Sequence, residues 1–202
     1  MKRMWFMVVL LLFMAVGCTA TDTPQPFGFR DGMTLDEIKI IDPEAVNVNN
    51  DVYILRTAPD HHRDVDFYVV KIHKDEGLYV IKAMFNDVKC NDYGDQLKDK
   101  FAETRRGLIQ QYGQPTHDFD FVRSGALWDE DRYFMRAISE EQRYLAAGWT
   151  KGDEPLIGKL VQIELTTNAF REYAQWYGFV SVAYFFEGHE QYAEEGKERP
   201  RF

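Results

Sequence analysis

Residues 159–169 constrain the fold more than any other part of the chain, because apolar and polar residues alternate along them. The apolar positions are Val161, Ile163 and Leu165, and the polar positions between them are Gln162, Glu164 and Thr166. This period of two is typical of a β-strand with one buried face and one face in water. Such a strand indicates an antiparallel sheet, since parallel sheets are covered on both faces.

Five other segments are predicted to be strands, because β-branched and aromatic residues dominate them. They cover residues 52–58, 65–73, 78–85, 143–150 and 177–186. Turn-forming residues separate the first three: Pro59-Asp60 follows the first segment and Asp75-Glu76-Gly77 precedes the third.

Three helices are also predicted. Thr34 and Glu37 have the spacing of a capping box, and Pro43 ends the helix that they begin. Residues 95–112 form the strongest helix, because their apolar residues recur on one face. A third helix is expected over residues 129–141, whose first residues are acidic, as a helix N-terminus favours.

These elements predict an α+β fold in which antiparallel sheet is covered on one face by two or three helices. A short helix followed by three strands occurs twice in the predicted order, with the long helix between the two units. We expect one α+β domain over residues 27–188, because no linker interrupts them. Residues 189–202 are charged, and we expect them to form a frayed tail.

The N-terminus has the three regions of a secretory signal peptide. Lys2 and Arg3 supply positive charge, residues 4–14 are apolar, and residues 15–18 are small residues ending in a cysteine. The apolar stretch is shorter than the roughly 20 residues that span a bilayer. Residues 1–17 are therefore predicted to be a cleaved signal peptide rather than a transmembrane helix.

Ala15-Val16-Gly17-Cys18 resembles the lipobox of bacterial lipoproteins, which signal peptidase II cuts before the cysteine. The resemblance implies that Cys18 carries a diacylglycerol on its sulfur and a fatty acyl chain, such as palmitate, on its amino group. Thr19 after the cysteine resembles the pattern of Gram-negative lipoproteins held at the periplasmic face of the outer membrane. Residues 18–26 then form the lipidated cysteine and a flexible tether. The alternative is an ordinary secretory signal with a chance cysteine at its end.

The charge of the chain argues against nucleic acid as a partner. The formal net charge is −9, and loss of Lys2 and Arg3 with the signal peptide makes it −11. Nucleic acids and anionic lipid surfaces are bound through Lys and Arg, so neither is expected to bind this surface. The membrane contact is expected to come from the lipid on Cys18.

Enzymes built on standard motifs are not visible. The phosphate-binding and dinucleotide-binding glycine patterns are absent, and no cofactor is predicted. None of the three serines lies in a nucleophile elbow; they are Ser124, Ser139 and Ser181. Cys90 is the one thiol left if Cys18 is lipidated. It is expected to be buried, and the alternatives are a nucleophile activated by His73 or His117 and a disulfide to another chain.

Two further clusters have alternative interpretations. Asp60-His61-His62-Arg63-Asp64 with Asp66 contains metal-ligand side chains, but adjacent histidines on an extended chain point apart. We therefore predict a solvated turn and no metal site. Trp128-Asp129-Glu130-Asp131 has the carboxylates of an acid/base pair, but a helix start is the favoured interpretation.

Aromatic residues near the C-terminus are candidates for a binding surface. Alternation along the predicted strands places most of them in the core; they are Trp176, Tyr177, Phe179, Tyr184, Phe185 and Phe186. Trp149 and Trp176 are the candidate binding residues that we would test first, because exposed aromatic side chains anchor interfaces.

Residues 28–38 contain Gly-Met-Thr-x-x-Glu-Ile and resemble the opening of small SmpA/OmlA-type lipoproteins. Those proteins assist the assembly of outer-membrane proteins. Together these observations predict a non-catalytic envelope lipoprotein that binds a protein partner, as an assembly factor or as an immunity or inhibitor protein. The alternatives are an envelope hydrolase with a Cys90/His site and a peptidoglycan-binding lipoprotein.

Overall fold

The computed structural model describes residues 25–150, 152 and 156–197. The predicted signal peptide, Cys18 and the tether as far as residue 24 lie outside the described residues. The last five residues of the predicted tail lie outside them as well.

Nine strands and four helices make up the described part of the chain. The strands are β1 (Val46–Asn49), β2 (Val52–Leu55), β3 (Val65–His73), β4 (Gly77–Phe85), β5 (Val88–Cys90), β6 (His117–Val122), β7 (Arg143–Thr150), β8 (Leu160–Glu172) and β9 (Gln175–Phe186). The helices are α1 (Leu35–Ile41), α2 (Asp95–Tyr112), α3 (Phe134–Ser139) and α4 (His189–Lys197). None of these helices combines the length and hydropathy needed to cross a bilayer.

All nine strands belong to one antiparallel sheet, which confirms the predicted α+β class. The strand order is β1-β2-β3-β4-β9-β8-β7-β6, and the short β5 pairs with the free end of β9 beside β4. A helix followed by a three-stranded meander occurs twice, as α1 with β2–β4 and α3 with β7–β9. The last strands of the two units, β4 and β9, pair with each other and join the halves.

The alternation predicted for β8 is present from Ile163 onward but not at Val161, because a register irregularity between Leu160 and Gln162 buries Leu160 and leaves Val161 partly exposed. Ile163 and Leu165 are fully buried, whereas Glu164 and Thr166, which alternate with them, are partly exposed. Strand pairing extends the two faces across the sheet, because Leu165 lies opposite Val182 of β9. The buried residues of neighbouring strands therefore form one continuous core on one face of the sheet.

Helix α1 begins with the capping box that the sequence predicts. The Thr34 hydroxyl accepts a hydrogen bond from the backbone N–H of Glu37, and the Glu37 carboxylate accepts one from the backbone N–H of Thr34 at 2.8 Å. Both bonds satisfy amides that the first helical turn leaves unpaired. Ile38 is fully buried and attaches α1 to the core.

Helix α2 spans the predicted residues and approaches the sheet at Gly178 of β9. A side chain on Gly178 would place its Cβ only 2.9 Å from Leu97 Cδ2. Glycine is needed at this point because Leu97 occupies the space directly above the strand. Leu97 itself is fully buried. The two residues fix how closely α2 packs on the sheet.

Helix α4 contacts the face of the sheet opposite to α2. Alternation along β9 places Phe185 on the side away from Gly178, and the His189 ring lies 5.1 Å from the Phe185 ring. Tyr192 of α4 stacks on His73 at 4.9 Å. Residues 189–197 are therefore helical, where the sequence indicates a frayed tail.

Three strands and the length of α3 differ from the sequence predictions. Strands β1, β5 and β6 are not among the predicted strands, and α3 covers Phe134–Ser139 rather than residues 129–141. A 3-10 turn, Asp131–Tyr133, precedes α3. The acidic residues from Asp129 onward thus lie before the α-helix rather than in its first turn.

Candidate functional site

The two tryptophans predicted to bind a partner have different environments. Trp149 is 1% exposed, and its indole Nε1 donates a hydrogen bond to the Gly113 carbonyl at 2.9 Å. The structure therefore places Trp149 in the core, away from any ligand at the surface. Trp176 is half-buried, and the guanidinium of Arg171 lies 5.2 Å from the centre of its ring.

Trp176 lies in a small pocket of about 220 Å³ together with Tyr133 and three arginines. Arg132 is paired with Glu130 at 3.0 Å and Arg136 with Glu140 at 2.8 Å. Because carboxylates lie close to two of the three arginines, the pocket combines aromatic rings with largely compensated charge. The third arginine is Arg171, and Asp92 also lines the pocket.

Cys90 is buried in the core, as expected from the sequence. It is 4% exposed, and its thiol donates a hydrogen bond to the Val88 carbonyl at 3.3 Å. Burial raises the pKa of this thiol above its usual range. This environment disfavours the thiolate that a cysteine nucleophile requires.

The structure does not bring either histidine to Cys90. Cys90 pairs with Trp176 of β9. His117 pairs with Gly148 of β7, and the paired residues that continue this line across the sheet reach β9 at Ala183. At about 3.3 Å per residue, these two points on β9 are about 23 Å apart. His73 pairs with Gly77 of β4, and Val80 of the same strand pairs with Phe185 of β9. His73 is therefore level with a point past Phe185 along β9, still farther from Cys90. The Cys90/His pairs predicted for a hydrolase are therefore not assembled.

The two charged clusters have structural roles. His62 accepts a hydrogen bond from the backbone N–H of Asp64 through Nδ1, as expected in the turn before β3. Within the described residues, no group of three or more His, Cys, Asp or Glu side chains could hold a metal ion. Trp128 donates to Glu140 at 2.8 Å, and Asp131 pairs with Arg143 at 3.1 Å.

One face of the second half of the sheet carries aromatic side chains in contact with solvent. Strand pairing places them on the side of the sheet opposite to Leu165 and Val182. We call this surface the aromatic face; it consists of Phe119, Phe121, Tyr144, Phe170, Tyr177 and Phe179. Two pairs of rings stack across neighbouring strands, Phe121 on Tyr144 at 5.1 Å and Phe170 on Tyr177 at 5.5 Å.

Strand β6 forms one edge of this face. It is the last strand of the sheet order, and residues 117–121 are all exposed. Phe119 is 45% and Phe121 48% exposed, although both are large apolar side chains. Asp118 and Asp120, which alternate with these phenylalanines, point to the other face, where Arg105 holds Asp118 through two hydrogen bonds of 2.9 and 2.6 Å. The ion pair fixes β6 against α2 and orients the phenylalanines outward.

A larger cleft of about 410 Å³ lies between α2 and strands β4 and β9, where the two halves of the sheet join. Phe27, Phe85, Leu108 and Tyr184 form its apolar part, and Lys100 lies on its wall. Tyr184 belongs to the aromatic set noted in the sequence, but its neighbours in the cleft come from distant segments. No local pattern predicts that they meet.

Comparison of the chain with known protein families, with curated proteins and with solved structures returned no match.

Proposed function

We propose that the chain is a non-catalytic, lipid-anchored protein of the bacterial cell envelope that binds a protein partner, as an assembly factor or as an immunity or inhibitor protein. The observation that carries the proposal is the exposed aromatic face with its free edge at β6. Contiguous exposed apolar surface is typical of interaction sites. The lipid anchor rests on the lipobox-like residues 15–18.

The arrangement of helices supports this use of the sheet. Helices α1, α2 and α3 cover the core face, and α4 contacts the other face beside β3 and β4. The aromatic face, formed by β6–β8 and the start of β9, is then left for a partner. We thus propose that three helices cover one face of the sheet and leave part of the other face open.

The occupant is an extended segment of the partner that adds to β6. An edge strand presents alternate backbone N–H and C=O groups to a new strand. Phe119 and Phe121 protrude at alternate positions along that edge, so apolar side chains of the added strand would contact them. The acidic net charge, which is −11 once Lys2 and Arg3 are removed with the signal peptide, favours a basic partner and speeds its capture.

Site-specific photo-crosslinking tests the surface in living cells. A photoreactive phenylalanine analogue at position 119 or 121 is expected to crosslink one envelope protein, which mass spectrometry identifies. The same analogue at Ile40 is the control, because Ile40 is 81% exposed but lies on α1. Equal crosslinking from position 40 would contradict the proposed surface.

Binding to the purified partner provides the quantitative test. Replacing both phenylalanines, as Phe119→Ser and Phe121→Ser together, is expected to weaken binding at least tenfold, whereas Ile40→Ser leaves it unchanged. Added salt is expected to lower the association rate, since the charges are exposed. Unchanged affinity in the double variant would exclude β6 as the binding edge.

The anchor has a separate test. Cys18→Ala is expected to abolish incorporation of labelled palmitate and, because signal peptidase II then has no cysteine to cut before, to leave the precursor uncleaved. Retention of the label by this variant would refute lipidation at Cys18. Membrane attachment of the native protein at the periplasmic face of the outer membrane is checked by fractionation and protease accessibility.

The pocket at Trp176 favours a second candidate, peptidoglycan binding. Aromatic rings beside arginines suit sugars that carry carboxylates, and Trp176, Tyr133 and Arg171 offer both. Retention of the protein on purified sacculi, and its loss with Trp176→Ala, would support this function. Equal retention of the variant would exclude the Trp176 pocket as the binding site.

A further inference from the structure

The cleft between α2 and the sheet has an apolar interior of the size of a small-molecule site. Its volume is about 410 Å³, within the range of roughly 300–1,000 Å³ that ligand sites occupy. The rings of Phe27 and Tyr184 meet edge to face at 6.0 Å, and Phe85 and Leu108 line the cleft beside them. An apolar or aromatic group fits this lining.

Tyr184 contributes a polar atom to this apolar interior. The residue is 5% exposed and lines the cleft, and its hydroxyl has no hydrogen-bond partner among the described residues. Burial, together with the neighbouring Tyr112, raises the pKa of Tyr184, so the hydroxyl keeps its proton and acts as a donor. No side-chain N or O atom of the described residues is both buried and without a partner, so this hydroxyl is accessible from the cleft and open to an acceptor there. A ligand oxygen in the cleft would supply one.

Lys100 places a positive charge on the wall of the cleft. Its side chain is 17% exposed, and its ammonium lies 5.5 Å from the centre of the Phe85 ring. The nearest carboxylate oxygen, on Asp64, is 3.5 Å away, at the outer limit of a hydrogen bond. The ammonium therefore retains donors for a closer acceptor.

The other charges at the cleft are more exposed than Lys100. Asp64 also contacts Arg63 at 3.6 Å, and the Arg63 side chain is 92% exposed. Glu103 is exposed on α2, one turn from Lys100. Water screens these groups more strongly than it screens the lysine. An anionic ligand group would therefore interact most strongly with Lys100.

We propose that this cleft binds a small apolar molecule that ends in a carboxylate, with its apolar group against Phe27, Phe85 and Leu108 and its carboxylate at Lys100. The Tyr184 hydroxyl donates a hydrogen bond to an oxygen of the same ligand. An apolar amino-acid residue with a free α-carboxylate has this chemistry. It occurs in free N-acylated amino acids and at the C-terminus of a peptide. The proposal is independent of the β6 edge and of the lipid anchor.

The test uses the full lipidated chain in a nonionic detergent and two matched probes. N-acetylphenylalanine carries the carboxylate, and N-acetylphenylalaninamide has the same shape without the charge. Titration calorimetry is expected to show at least tenfold tighter binding of the acid. N-acetylalanine, which lacks the ring, is expected to bind at least tenfold more weakly than N-acetylphenylalanine. Absence of binding, or equal binding of acid and amide, overturns the proposal.

Three variants locate the binding. Lys100→Met keeps the apolar stem and is expected to remove the preference for the acid over the amide. Tyr184→Phe is expected to weaken the acid several-fold while the protein still unfolds at the wild-type temperature. Gly107 lines the cleft, and nothing lies within 4 Å of a Cβ added there. The side chain introduced by Gly107→Leu therefore has room to extend and is expected to block the cleft. Ala102→Leu, on an exposed part of α2, is the control for added bulk.

An unchanged preference for the acid in Lys100→Met would overturn the role of the ammonium, and unchanged binding in Gly107→Leu would place the ligand elsewhere. A third probe, N-acetyl-Ala-Ala-Phe, distinguishes the two sources of the ligand. Tighter binding than N-acetylphenylalanine identifies a peptide C-terminus, and equal or weaker binding identifies a free N-acylated amino acid. Loss of partner crosslinking at Phe119 with cleft binding intact would refute the proposed function alone.

Discussion

The indole Nε1 of Trp149 donates a hydrogen bond to the backbone carbonyl of Gly113, with 2.9 Å between the two atoms. Trp149 lies on β7, and Gly113 is the residue at which α2 ends. The bond therefore fastens the end of the long helix to the second half of the sheet. The same indole is 1% exposed, so its ring also fills the core between them.

Replacement of Trp149 is expected to destabilise the fold. Trp149→Ala removes the bond and leaves a large cavity, at a cost of about 3–5 kcal/mol, and Trp149→Phe costs about 1–3 kcal/mol. Urea denaturation followed by circular dichroism measures both. Leu127→Ala is the control, since Leu127 is 77% exposed and its loss is expected to change stability by less than about 0.5 kcal/mol. Equal effects at the two positions would contradict the structural role of Trp149.

Gly178→Ala is expected to weaken the packing of α2 on the sheet. The added Cβ would lie 2.9 Å from Leu97 Cδ2 and 3.2 Å from Leu97 Cβ, so the helix must shift. Overpacking of this kind costs about 1–3 kcal/mol in the free energy of unfolding. Gly148→Ala is the matched control, because the nearest atom to its Cβ is 4.0 Å away.

Coupling between the two residues provides a sharper measurement. Leu97→Ala removes the side chain that the new methyl group would contact, so the double variant is expected to be less destabilised than the sum of the single variants. Simple additivity would show that Leu97 is not the group that Gly178 accommodates.

The predictions from sequence succeed where a buried face imposes its period on the chain. Strands β3 and β7 and helix α2 have the bounds that the sequence indicates. In each of them apolar residues recur at the spacing of a strand or a helix, because one side packs against the core. The capping box at Thr34 is equally local, since both partners lie within one turn.

The elements that were not predicted are ordered by contacts with neighbouring elements, and their sequences lack a periodic pattern of buried residues. Strand β6 alternates aspartate with phenylalanine, and Phe119 and Phe121 face solvent, so its pattern does not indicate which side is buried. Helix α4 is polar along most of its length, and Tyr192 orders it through contact with His73 and Tyr79. Such contacts exist only after the sheet has formed.

The cleft could not be predicted for the same reason. Phe27 precedes α1, Lys100 lies on α2, and Tyr184 lies on β9, so more than 150 residues separate the first and the last. Sequence spacing carries no information about such a meeting. The sequence singles out Tyr184, as one aromatic residue in a run whose alternation correctly indicates burial, and separately residues 62–64 as a solvated turn, but nothing in it indicates that they line one cleft.

The stability contributed by Glu37 is expected to depend on pH. Hydrogen bonds from Thr34, together with Arg30, lower the pKa of Glu37 in the folded protein. Its contribution is therefore present above the pKa of the unfolded chain and is lost as the pH falls through the folded value. Glu37→Gln keeps the hydrogen-bonding geometry but removes the titration.

Urea denaturation at two pH values measures this effect. At pH 7 the wild-type protein is expected to be more stable than Glu37→Gln, and near pH 3 the two midpoints are expected to converge. Asp36→Asn, at an exposed position of the same helix, is the comparison. A difference between wild type and Glu37→Gln that stays constant from pH 7 to pH 3 would argue against a lowered pKa.

Cys90 is expected to be almost inert in the folded protein. Its side chain is 4% exposed, and burial raises the pKa of the thiol, so both access and the thiolate fraction are reduced. A thiol-reactive disulfide reagent at pH 8 is expected to label Cys90 at least 100-fold more slowly in the native protein than in urea.

Ser124→Cys supplies the matched control within the same chain, because residue 124 is exposed and a thiol there reacts at the rate of a free peptide. Rapid native labelling of Cys90 would require an opening of the core around Val88 and Leu97. Such labelling would also support the alternative that Cys90 is a nucleophile. Slow labelling, with full reaction after unfolding, means that Cys90 contributes by packing, and that binding rather than cysteine chemistry is the function to be tested.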